Sequence, residues 1–120
     1  MKKTKESIRL KRHRRIRLKM RGTEDKPRLV VRRSLKNMYV QIIDDAAGKS
    51  VFSLSSIDKE TKKNIPSGGN VKEAGLLGEF FARRVKEKGI TKIIFDRAGY
   101  LYHGRIKAFA EGLRKGGLEF

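Results

Sequence analysis

Eleven cationic side chains precede Gly22, namely Lys2, Lys3, Lys5, Arg9, Lys11, Arg12, Arg14, Arg15, Arg17, Lys19 and Arg21, and only Glu6 opposes them. Guanidinium groups grip phosphate oxygens bidentately, and a helix would space them by about 1.5 Å per residue along a groove. A second concentration is FDRAGYLYHGR, residues 95–105, which combines cations, aromatic rings and flexible glycines. A loop of this kind can stack on unpaired bases, donate to phosphates and let a nucleic acid approach the backbone at Gly99 and Gly104. The plainer alternative is a turn whose tyrosines cover a sheet edge, and His103 alone says little. The third constellation is acidic. Asp44, Asp45 and Asp96 could supply the carboxylates of a ribonuclease-H-like, two-metal nuclease. Asp44-Asp45 is more simply a hairpin turn, where Asp bonds to its own local backbone, and a two-metal site gathers roughly three or four converging carboxylates. No catalysis, cofactor or metal is expected.

The bulk charge points the same way. Thirty-one Lys and Arg against 13 Asp and Glu leave +18 in 120 residues, whereas solubility asks for a net charge of only about 2–8. The first 22 residues carry +10 of this and the remaining 98 carry +8. A polyanionic partner follows, RNA or DNA before a membrane surface. No apolar run approaches the roughly 18 residues of a spanning helix, and no lipidation motif is visible. Cysteine is absent and there are two histidines, which removes disulfides, zinc knuckles and thiol chemistry. The basic N-terminus lacks the apolar stretch of a signal peptide, so a cytoplasmic location is expected. A sequence-specific DNA-binding module would show a helix-turn-helix or a finger, and neither is recognisable.

The elements that must position these residues form one small domain behind a basic arm, with arm 1–24 and domain 25–120. The arm is rich in helix formers, and Gly22 is placed to stop a helix. Its apolar residues Ile8, Leu10, Ile16, Leu18 and Met20 scatter around the helical wheel. The arm is therefore expected to become a stable helix against RNA. Residues 28–34 and 38–44 alternate as half-buried strands around a tight turn at Leu35, Lys36 and Asn37. After the turn at 45–48 a third strand spans 51–55, antiparallel to the second. Residues 56–69 show no period and read as a loop. Asn70 and Glu73 form a capping pair, and Val71, Ala74, Leu77, Phe81 and Val85 make a core-facing helical stripe that Gly89 ends. A short strand over 91–96, joined in parallel, makes the sheet mixed. A last helix over about 104–115 buries Ile106, Phe109, Ala110 and Leu113. The fold class is thus α/β: three antiparallel strands, one parallel strand, two packed helices and a basic N-terminal helical arm.

The stretches RLVVRRSLKNMYVQIIDD and FDRAGYLYHGRIKAFAEGLRKGGLEF, with the basic arm, resemble the bacterial large-subunit ribosomal protein eighteen family, which binds 5S rRNA. The resemblance covers nearly the whole chain. It implies binding of 5S rRNA in the central protuberance of the ribosome and attachment to 23S rRNA, beside neighbouring large-subunit proteins, by a chain that is monomeric when free. Carried over by position, the RNA-contacting residues would be Arg12, Arg14, Arg15, Arg17 and Lys19 in the arm, and Arg32, Ser34, Lys36, Tyr39 and Gln41 on the hairpin. The C-terminal block would add Arg97, Gly99, Tyr100, Tyr102, His103, Gly104 and Arg105. Asn37-Met38 stands where a His-Ile pair is commoner in the family, and Ala98 where Gly or Ser is usual.

Overall fold

The computed structural model describes residues 4–17, 20–65 and 69–120. Their elements are α1 (Lys5–Arg17), β1 (Arg28–Arg33), β2 (Met38–Asp44), β3 (Lys49–Ser55), α2 (Lys59–Asn64), α3 (Val71–Glu87), β4 (Ile94–Asp96) and α4 (Gly104–Lys115). The four strands form one sheet in the order β3-β2-β1-β4. β1 and β2 run antiparallel, as do β2 and β3, and β4 lies parallel to β1. This is the expected mixed sheet, with β4 three residues shorter at its start. Residues 91–93 instead meet the C-terminus, where Ile93 donates to Glu119 and Glu119 donates to Thr91.

Alternation along the strands sorts the sheet into two faces. Leu29, Val31, Met38, Val40 and Ile42 point inward and are fully or almost fully buried against Ala74, Leu77, Phe81 and Val85 of α3 and Ile106, Phe109 and Leu113 of α4. Phe81 and Phe109 meet edge-on with ring centroids 5.8 Å apart. The two helices approach closely because their crossing point is made of glycine: a Cβ on Gly78 would overlap the Phe109 carbonyl oxygen, and one on Gly112 would overlap that of Gly75.

α3 begins as the capping pattern predicts, with the Asn70 side chain accepting from the Glu73 amide at 2.8 Å. The expected core stripe loses its first member, since Val71 lies in the exposed opening turn at 54 % exposure. Gly89 follows the helix with φ +83°, the left-handed conformation that glycine adopts without penalty. Part of the expected 56–69 loop is helical. α2 buries Thr61 and is followed by buried Ile65, a single i, i+4 pair that is too short to register as a period. Its neighbour Ser56, 1 % exposed, accepts from the Met38 amide through its hydroxyl and donates to the Asn37 side chain, pinning the β1–β2 turn to the end of β3. Residues 66–68 of that stretch lie outside the described residues.

Candidate nucleic-acid interface

The outer face of the sheet carries a different set of side chains. Arg32 pairs with Tyr39 and Tyr39 with Ser55, while Val30 pairs with Gln41 and Gln41 with Ser53. Residues paired across strands share a face, so Arg32, Tyr39 and Gln41 come together there, all exposed. Ser34 and Lys36 sit exposed at the hairpin tip, where the Ser34 amide donates to Asn37. β1 is more buried than alternation alone predicts, with Arg28 through Val31 all buried in succession.

Arg28 explains part of that departure. Its guanidinium, on a residue 4 % exposed, donates to Asp45 at 3.0 and 3.2 Å and to Asp96 at 2.6 Å, and Asp96 is fully buried. Burial alone would weaken the Arg28 charge, but hydrogen bonds and charge from both carboxylates outweigh it and raise the guanidinium pKa above its ordinary value. The Arg28 hydrogen bond lowers the Asp45 carboxyl below its ordinary range; the Gly22 amide and the charges of Arg28 and Arg17 assist, against partial desolvation. Asp44 caps its own turn by accepting from the Ala47 amide at 3.1 Å. The three carboxylates that suggested a two-metal centre are therefore engaged in ion pairs and a turn. Among the described residues, no group of three or more potential ligands is placed to hold a metal.

Gly22 does not stop a helix. It is buried where a Cβ would overlap the Arg28 amide nitrogen, its own amide donates to Asp45 at 2.7 Å, and its carbonyl accepts from Asp45 and Ala46. The chain is thus fastened to the sheet just ahead of β1.

The helix expected for the arm is present as α1 and docks on the turn that follows β4. Its contacts run along one side. Arg9 donates to the Ala98 carbonyl at 2.6 Å, Arg12 to the Gly99 carbonyl at 2.7 Å, and His13 meets Asp96 at 3.0 Å. Ala98 and Gly99 both adopt left-handed conformations, φ +53° and +81°, and their successive carbonyls meet the arginines of α1. The Asp96 carboxylate holds this turn by accepting from the Ala98 amide at 2.9 Å. A Cβ on Gly99 would overlap the Arg9 carbonyl oxygen. The chain that approaches the backbone at Gly99 is thus α1 itself.

Tyr100 lies between two guanidinium groups, Arg9 at 4.4 Å and Arg33 at 4.9 Å from its ring centroid, an arrangement favoured by cation–π attraction. Its hydroxyl bonds to the Arg33 backbone. Arg105, at the start of α4, donates to the Leu35 and Asn37 carbonyls and so ties the loop to the hairpin tip. Burial, aided by the Arg33 charge, lowers the Arg105 guanidinium pKa. Tyr102 is 40 % exposed, and with Arg97 it borders a cavity of about 510 Å³ that Ile16, Phe95 and Phe120 also line. His103 is exposed, and Gly104, at φ +56°, has open space where a Cβ would stand. A groove of about 410 Å³ joins Lys5, Arg12, Arg33, Tyr100 and His103.

The structure thus gathers arm, hairpin and loop into one cationic region. Arg14 and Arg15 are exposed on α1, whereas Arg17 leans back toward Asp45 at 3.6 Å. Lys19 lies outside the described residues. Sequence reasoning missed Arg9, His13, Arg28 and Asp96 as the fastening of the arm. For Arg9 and His13 the sequence signal is the recurrence of Arg9, Arg12, His13 and Ile16 at helical spacing, which an apolar wheel does not register.

Similarity to known proteins extends over nearly the whole chain. The sequence pattern of ribosomal L18 of archaea, bacteria, mitochondria and chloroplasts matches residues 3–120. Large ribosomal subunit protein uL18 of Pelotomaculum thermopropionicum is 54 % identical over 114 residues, 95 % of this chain and 93 % of that protein. The proteins of the same name from Alkaliphilus oremlandii and Dictyoglomus thermophilum are 51 % and 48 % identical, over 98 % and 100 % of this chain and 96 % and 98 % of theirs.

Proposed function

Because the chain belongs to the ribosomal L18 family, structural constituents of the large ribosomal subunit, we propose that it binds 5S rRNA and helps fasten it to 23S rRNA in the central protuberance. The observation that carries this reading is the convergence of α1, the β1–β2 hairpin and the 97–105 loop into one cationic region. Phosphates meet the exposed cations of α1 and the hairpin. Arg32, Tyr39 and Gln41 offer a polar sheet face, and Tyr102, His103 and the open backbone at Gly104 meet unpaired bases or sugars, as RNA recognition by shape requires. Arg97, Arg105 and Tyr100 frame that contact. Catalysis has no part in it. The free chain is a monomer, and its protein neighbours are those of the large subunit.

The test compares affinity for 5S rRNA, transfer RNA and duplex DNA over a series of salt concentrations. Polyanion attraction alone gives similar affinities whose logarithms fall with log salt by about 0.9 per phosphate contact for B-DNA. The proposal expects 5S rRNA to retain a clear preference at high salt, where the electrostatic contribution has faded. Equal affinities for all three would overturn it.

A further inference from the structure

We propose that α1 divides its cations by face: Lys11, Arg14 and Arg15 form the stripe that contacts phosphates, and Arg9, Arg12 and His13 are positioning residues that fix the helix to the domain. This rests on the RNA-binding reading above and refines it. Lys11 and Arg9 enter with roles that family resemblance did not assign, and Arg12 moves from RNA contact to support.

The division follows from helical geometry. At 3.6 residues per turn, residues 9, 12, 13 and 16 share one side of α1, and residues 11, 14 and 15 lie roughly half a turn away. The first group is half-buried and the second exposed. Arg9 and Arg12 donate to the Ala98 and Gly99 carbonyls and His13 meets Asp96. The side chains of Lys11, Arg14 and Arg15 make no hydrogen bond or ion pair among the described residues. Like charges three and four residues apart oppose helix formation. The outward stripe is therefore unfavourable for the free protein and is relieved by a polyanion. Arg12 serves a neutral carbonyl, and Arg9 divides its guanidinium between the Ala98 carbonyl and the Glu6 carboxylate, both at 2.6 Å, so both inward arginines already have partners within the chain.

Two kinds of variant separate the roles. Lys11→Gln/Arg14→Gln/Arg15→Gln removes three outward charges, and Gly99→Ala disturbs the docking without changing charge, because its Cβ would overlap the Arg9 carbonyl oxygen. Affinity for 5S rRNA over a salt series and amide exchange of α1 in the free protein are measured for both, with Arg12→Gln as a milder docking variant. The triple variant is expected to flatten the log–log slope by about 2–3, at roughly 0.7–0.9 per phosphate contact, while α1 keeps its exchange protection. Gly99→Ala and Arg12→Gln are expected to lose protection in α1 and to weaken binding, about tenfold for Gly99→Ala, because the helix must then be ordered on the RNA, with slopes close to that of the unsubstituted chain. An unchanged slope in the triple variant overturns the proposal. So does a slope in Arg12→Gln reduced as much as in a single Arg14→Gln variant. If the unsubstituted chain shows no preference for 5S rRNA over transfer RNA, the RNA-specificity reading fails instead, and slopes on either RNA still test the division of faces.

Discussion

α3 and α1 are fastened to the domain by opposite chemistry. α3 presents Ala74, Leu77, Phe81 and Val85 to an apolar face, and with α4 it closes over glycines that let the backbones approach. α1 has no buried residue. It is fastened by guanidinium groups on carbonyls and by an imidazole on a buried carboxylate, at the place where Arg28, Asp45 and Asp96 compensate one another. Apolar attachment is non-directional and grows with area. Polar attachment is directional and depends on each partner being present, because a buried charge left alone is costly. The core helices are therefore held by many small, redundant contributions, and the arm by a few that cannot replace one another.

The largest expected effect breaks the polar side at its centre. Asp96→Ala leaves Arg28 half-compensated and removes the partner of His13 and of the Ala98 amide; truncating one member of a buried ion pair costs about 3–5 kcal/mol. The melting temperature of a domain this size should fall on the order of 20 °C, and exchange protection of α1 should vanish. A loss below about 1 kcal/mol would show that the ion-pair cluster is incidental.

A smaller effect probes the apolar side. Gly112→Ala gains about 1 kcal/mol of helix propensity but drives a methyl group into the Gly75 carbonyl, and overpacking of this kind costs about 1–3 kcal/mol. The net expectation is a modest destabilisation in calorimetry with α1 protection intact relative to global stability. Loss of α1 first would mean that the two attachments are not independent.

The smallest effect sharpens the contrast with pH. The folded Asp45 carboxyl titrates below its ordinary value of 3.8. Its contribution is therefore complete above that value and is lost as pH falls through the depressed one. Amide exchange followed down through the acid range should show α1 and residue 22 opening before α3 and α4, whose attachment carries no such proton linkage. Simultaneous opening would count against a local acid-sensitive fastening.

Much of the fold was legible because apolar periodicity writes it. The stripe of α3, the buried face of α4 and the alternation of β2 all follow from where water is excluded. Asn70 and Gly89 were legible as the ends of α3 because capping is local. α2 was not, since one buried pair makes no period, and Gly22 was misread because its need for close approach is set by β1 and the Asp45 turn, far from it in sequence. Of the candidate interface, the residue types in the arm and the 97–105 loop could be read directly, while their division of labour could not. An arginine that grips a carbonyl and one that awaits a phosphate are the same letter.

By itself the sequence determined a mixed α/β domain, an excess of positive charge at one end and a polyanionic partner, because hydropathy period and net charge are properties of the chain. Only the tertiary structure decided that the arm is docked rather than trailing, that Asp45 and Asp96 are both engaged by Arg28, and that the approach to Gly99 belongs to α1. Each of these depends on which groups meet across 17 to 89 residues of chain, and directional polar contacts leave no periodic trace by which such meetings can be read in advance.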